Sequence, residues 1–249
     1  MTNLSVNLNK IALVRNTRAN GIPNVLRAAE IALGAGAHGI TVHPRPDGRH
    51  VRPHDVDELA AVIKSFPGAE FNIEGNPFHG LLQFVRQVRP HQCTLVPDES
   101  GAFTSDKGWD LGTEAPKLVP IIAELKSMGV RVSLFMDPIP ESMGTAREIG
   151  ADRVELYTEP FAKAFGGPTE SRELARYHAA ARAALQTGLA VNAGHDLSLL
   201  NIRSFLMSVH GIAEVSIGHA LIADAIEFGL AATVRKYLDA IGESAGTKP

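Results

Sequence analysis

Residues 130–157 read VRVSLFMDPIPESMGTAREIGADRVELY, and this stretch decides the fold. Val130 to Phe135 is a short apolar, β-branched run, and Pro140 to Ile149 carries a helical pattern. Gly150-Ala151 then stops the helix, and Arg153 to Tyr157 starts a second strand. The same strand–helix unit recurs on both sides. Upstream, strands are expected at Leu4 to Asn9, His38 to His43, Glu70 to Glu74 and Gln92 to Val96. The helices behind them are expected near 24–35, 53–65, 77–88 and 114–128. Downstream, a helix over 169–187 leads to strands at Leu189 to Ala193 and Glu214 to Ile217, with helices over 199–208 and 221–240. Eight units of about 31 residues each, with no linker or shift in composition, predict a single closed (β/α)8 TIM barrel over residues 1–249 rather than an open sheet. The last residues, 242–249, read as a frayed tail.

A chain of 249 residues buries roughly 70% of its unfolded surface, so the core needs no disulfide or metal staple. The single Cys93 excludes an internal disulfide and any cysteine-based zinc cluster, and it suits a reducing compartment. The net charge of −3 argues against nucleic acid as a partner. No apolar run reaches membrane-spanning length, and the start MTNLSVNLNKIALV lacks the pattern of a signal peptide. A cytoplasmic protein without a membrane partner is expected.

In such a barrel the chemistry sits where strands end, at their C-terminal rim. There the sequence places Asn7 and Asn9, His43 followed by Arg45 and His50, Glu74, Asp98 and Thr104, Glu155, then Asn192, Gly194, His195 and Asp196, and finally Gly218 and His219. The opposite strand ends read as mostly small or apolar. One Glu and two His, from strands two, three and seven, offer general acids and bases for work near neutral pH. Gly194, Gly218 and the helix opening at His219 read as a phosphate cradle. Arg45, His50 and Arg18 form a second basic group across the mouth, so two phosphorylated small molecules are expected as partners. The long loop from Pro97 to Thr113 reads as a lid. His43, Glu74, Glu155, His195 and His219 are also the residues a metal-dependent phosphosugar isomerase or aldolase would use, but no close-spaced ligand pair is present and no metal is expected. A non-catalytic phosphometabolite-binding barrel is the remaining alternative.

At these residues the sequence resembles the pyridoxine 5′-phosphate synthase family of vitamin B6 biosynthesis. The blocks are Arg15-Asn-Thr-Arg18, Gly39-Ile-Thr-Val-His43-Pro-Arg45, Asn72-Ile-Glu74, Val191-Asn-Ala-Gly-His195 and Ser216-Ile-Gly-His-Ala220. The resemblance covers essentially the whole chain. It implies a barrel with additional helices, an octamer built from dimers, and no cofactor. It also implies condensation of 3-amino-2-oxopropyl phosphate with 1-deoxy-D-xylulose 5-phosphate. His43 and Glu74 resemble the family's proton acceptors and His195 its proton donor. Asn7, Arg18, Asp196, Gly218 and His219 resemble the amino-ketone phosphate site, and Arg45, His50 and Thr104 the deoxyxylulose phosphate site. Two positions depart from the family pattern. Asn9-Lys10 stands where many members have Asp-His, and Asp196 stands where glycine is common.

Overall fold

The structure is a computed structural model that describes residues 2–99, 101–102 and 104–246. In chain order its elements are β1 (Asn3–Asn7), α1 (Asn9–Asn16), α2 (Val25–Gly34), β2 (Gly39–Val42), α3 (Pro53–Lys64), β3 (Glu70–Gly75), α4 (Leu81–Val88), β4 (Gln92–Leu95), α5 (Leu111–Ser127) and β5 (Arg131–Met136). Then follow α6 (Ser142–Glu148), β6 (Arg153–Leu156), α7 (Glu159–Ala164), α8 (Glu170–Gln186), β7 (Ala190–Ala193), α9 (Ile202–Ser208), β8 (Ile212–Ile217), α10 (His219–Phe228) and α11 (Leu230–Gly246). The eight strands pair in parallel with their sequence neighbours, and β8 closes on β1, which makes the predicted (β/α)8 barrel. Among the described residues no helix is long and apolar enough to cross a membrane.

Strand periodicity assigns the two faces of the barrel wall. Leu4 and Val6, Ile40 and Val42, Phe71 and Ile73, Val132 and Leu134, and Val215 and Ile217 are buried in the apolar layer under the helices. The alternate residues point inward, and most are polar, the exception being a cluster of Val96, Phe135 and Tyr157 near the rim. Gln92 on β4 donates to Glu214 on β8, across the barrel, at 3.3 Å. Glu214 also accepts from Asn192 at 3.3 Å and lies 3.7 Å from Arg153. Arg131 pairs with Glu70 and donates to Gln92 at 3.0 Å. Above this floor, Ser5 and Thr41 exchange a 2.7 Å hydrogen bond and Thr94 donates to Asn72 at 3.1 Å. The expectation of small or apolar strand bottoms is therefore corrected. In a closed barrel half of every strand faces the interior, and here that half is largely a polar network, with Ser133, Glu155 and Ser216 each keeping one unpartnered oxygen, rather than the usual layers of Val, Ile and Leu.

Four further features differ from expectation. Leu8 and Asn9 leave the sheet, and Asn9 begins α1, a helix hidden in a run read as strand and loop. Helix α7 is a further element for which the sequence pattern gives no expectation. The helix expected over 221–240 is two, α10 and α11, parted at Gly229, whose φ of +79° breaks the helical path. The tail expected to fray from residue 242 is helical through Gly246, because α11 is anchored by buried Val234, Tyr237 and Ile241 just before it. Residues 247–249 of that tail lie outside the described residues.

Candidate active site

The C-terminal ends of the strands surround a cavity of about 470 Å³, within the usual range of roughly 300–1,000 Å³ for small-molecule sites. Its wall includes His43, Glu74 and His195 together. Asn7, Asn9, Lys10, Arg45, His50, Thr104, Glu155, Gly194, Asp196, Gly218 and His219 also line it. Three residues expected at the rim do not line the cavity: Arg18 follows α1 and is exposed to solvent, Asp98 is taken up by Arg45, and Asn192 lies lower, against Glu214 and Arg153.

The missed helix α1 organises one side of the mouth. Asn7 at the end of β1 accepts from the backbone N–H of Asn9 at 3.0 Å. Asn9 in turn accepts from the backbone N–H of His43 at 2.9 Å, which ties the first turn of α1 to the tip of β2. Arg15, buried, pairs with Asp55 at the start of α3 and donates to the His50 carbonyl at 3.2 Å. Asn16 donates to the same carbonyl at 2.7 Å. The loop carrying His50 is thus clamped from behind. His50 Nδ1 accepts from the Val51 N–H at 2.9 Å, so the proton of the neutral ring sits on Nε2.

Charge on this side is concentrated and dry. Burial, then Arg45 and Arg49, push the His50 pKa down to about 4. Burial, with Arg45 and His50 beside it, drives His43 well below the usual imidazole range. Both rings are neutral at pH 7, with centroids 6.2 Å apart. Arg45 is itself buried, pairs with Asp98 and donates to the Ala102 carbonyl at 3.0 Å. Ser105 donates to the same Asp98 at 2.8 Å, so Arg45 fastens the β4–α5 loop to the β2 side of the mouth.

At the centre lie buried carboxyls. Glu74 receives a 3.4 Å hydrogen bond from Asn72, and Glu155 Oε2 has no partner among the described residues. Burial, reinforced by the charges of Glu155, Asp98 and Glu214, raises Glu74 well above the ordinary carboxyl range. Burial and Glu214 push Glu155 up to about 8. The barrel centre therefore stores protons at neutral pH.

On the far side, β7 and β8 approach closely at Gly194, where an added Cβ would collide with the Ser216 carbonyl. Helix α10 opens at His219, and Ile222 is the first of its residues to bond back, to Gly218 at 3.0 Å. The N–H groups before it have no partner within the helix, and Gly218, His219 and Ala220 line the cavity, which is the arrangement of an anion site. Thr104, from the long loop, spans the opening to His195 Nε2 at 3.0 Å.

Sequence reasoning missed several wall residues. Leu13 on α1, Arg49, Ser105, Phe135 on β5 and Glu159 on α7 all line the cavity. Phe135 was visible as the last residue of a predicted strand. Leu13 and Glu159 had no signal, because their helices were unread.

Fold and site define a (β/α)8 barrel with ionisable side chains massed around a cavity at one rim. Solved barrels agree on architecture: thiamine phosphate pyrophosphorylase from Pyrococcus furiosus superposes with a TM-score of 0.61 at 13% identity, covering 98% of this chain and 97% of that one. KGPDC from Streptococcus mutans superposes at 0.64 and 12% identity, over 99% and 100% of the two chains. At such identities the likeness concerns the fold alone. The sequence is far more specific. Residues 4–243 match the family described as pyridoxal phosphate biosynthesis protein PdxJ. The pyridoxine 5′-phosphate synthase of Albidiferax ferrireducens is 56% identical over 247 residues, 97% of this chain and 98% of that protein. That of Xylella fastidiosa (strain M23) is 51% identical over 245 residues, 96% and 94% of the two chains. The chain belongs to the PdxJ family and is an enzyme of the synthase class.

Proposed function

We propose that the enzyme condenses 3-amino-2-oxopropyl phosphate with 1-deoxy-D-xylulose 5-phosphate, giving pyridoxine 5′-phosphate, inorganic phosphate and water by acid–base catalysis. The observation that carries this reading is the meeting of His43, Glu74 and His195 on one cavity wall. Ring closure requires imine formation, dehydration and loss of phosphate, each needing a proton moved at a defined atom. His43, held neutral, is ready to accept a proton. Glu74 becomes a strong base once ionised, and a substrate ammonium supplies the positive charge that its neighbours Glu155 and Glu214 withhold. His195 Nε2 faces the lid threonine and serves as the donor.

The two anion positions lie apart, at the α10 N-terminus and beside His50 and Arg45. Asn7, Asp196, Gly218 and His219 line the first, and Thr104 joins the second. Arg18 acts on a phosphate only if assembly or lid movement brings it to a cavity. Asn9 and Lys10 supply a hydrogen-bonding amide and a mobile cation to the deoxyxylulose moiety. A cytoplasmic octamer is part of the same reading.

Chelator-treated protein mixed with both phosphorylated substrates tests it. Pyridoxine 5′-phosphate and free phosphate should appear together. Activity that vanishes with metal and returns on its addition would favour the isomerase-type chemistry, and binding without product would favour a non-catalytic barrel.

A further inference from the structure

Asp196 follows His195 directly and has a φ of +64°, a left-handed backbone that residues with side chains adopt at a cost on the order of 1 kcal/mol. Glycine would fit that backbone without loss. Asp is among the few other residues that enter this region readily, so a role for the carboxylate has to come from its contacts.

Its Oδ2 lies 3.6 Å from His195 Nδ1. That nitrogen is shut away from solvent and has no hydrogen-bond partner among the described residues. The rest of His195 is already held. Its carbonyl accepts from Thr158 Oγ1 at 2.6 Å, its ring meets the edge of Tyr157 at 5.2 Å, and its Nε2 meets Thr104. Only Nδ1 lacks an anchor, and the Asp196 carboxylate stands beside it, just outside hydrogen-bond distance. The neighbouring carboxylate of Glu159 is engaged elsewhere, by Tyr157 and by Lys163 at 2.8 Å. Lys163 and the His219 ring also lie near Asp196. The imidazole beside it holds the Asp196 carboxyl below the usual range.

We propose that Asp196 is a positioning residue whose carboxylate accepts the His195 Nδ1–H, so that the imidazolium gives up its proton from Nε2 and the neutral ring left behind is the Nδ1–H tautomer. This rests on the reading of His195 as a proton-transfer group. It gives Asp196 a role different from direct phosphate contact: the carboxylate turns toward the imidazole, and the site keeps the Asp196 backbone for substrate.

The test uses the full-length enzyme labelled with ¹⁵N-histidine, with His195→Asn identifying the His195 signals, alongside steady-state kinetics. The wild type should show the Nδ1–H tautomer at His195. Asp196→Gly, which suits the backbone, should fold normally, shift His195 toward the Nε2–H form, and lower kcat about tenfold with both KM values within about twofold. Asp196→Asn, which keeps an acceptor oxygen, should recover much of the loss. An unchanged tautomer in Asp196→Gly overturns the proposal, as does a rise in KM for one phosphorylated substrate at unchanged kcat. If the wild type makes no pyridoxine 5′-phosphate, the proposed reaction fails while the tautomer measurement still decides the His195–Asp196 pairing.

Discussion

Replacing Glu155 by Gln should stabilise the enzyme by an amount that grows with pH. The carboxyl is buried, one of its oxygens has no partner, and its pKa is pushed up to about 8 by burial and by Glu214. In the unfolded chain it titrates at the ordinary carboxyl value of about 4.5. Between those values the unfolded chain has released a proton that the folded protein still holds, so stability falls as pH rises. Each pH unit in that window removes about 1.4 kcal/mol. Glutamine carries no proton to lose, so the variant escapes this penalty. From about pH 5.5 to about pH 7.5 the stability difference between Glu155→Gln and wild type should widen by about 2–3 kcal/mol in favour of the variant. Urea unfolding at fixed protein concentration, repeated at the two pH values, measures it. A difference that stays constant across the window would show that Glu155 is ionised in the folded state, and the picture of a proton-storing barrel centre would fall with it.

Three other outcomes follow from the same geometry. His50 titrates at about 4 when folded, against about 6.5 unfolded, so its neutrality costs stability as pH falls through that window; His50→Gln should flatten the acid side of the stability profile by about 1 kcal/mol per pH unit, and an unaltered profile would refute the assignment. Glu74→Gln and His195→Asn should each cut turnover by about 10²-fold or more with circular dichroism unchanged, and near-wild-type turnover in either would remove that residue from the acid–base group. Gly194→Ala should force β7 and β8 apart at the Ser216 carbonyl and cost about 2 kcal/mol in urea unfolding; an unshifted midpoint would contradict the close approach seen there.

Much of this molecule is legible in local sequence. Val130 to Phe135 and Arg153 to Tyr157 announce strands by composition, and Gly150 marks the helix end between them, because such signals act over a few residues. The residues grouped at the rim follow once eight units are counted, since every parallel strand ends on the same face. Helix α1 escaped because Asn9 to Asn16 mixes polar and apolar residues with little amphipathic contrast. Its role is to hold the ends of β2 and the His50 loop, through contacts more than 30 residues away in the chain. Glu159 was invisible for the same reason: nothing near it in sequence says that α7 packs at the mouth.

The sequence by itself determined the barrel, its phase and the rim that carries His43, Glu74 and His195, because hydrophobic periodicity and turn residues are local properties. Only the tertiary structure decided that the barrel interior is polar, that Arg45 is paired with Asp98, that Arg18 stands in solvent, and that Glu155 keeps its proton at neutral pH. Those outcomes depend on which charges are brought together out of water, and desolvation and Coulomb energy are set by distances through space, which the order of residues along the chain does not record.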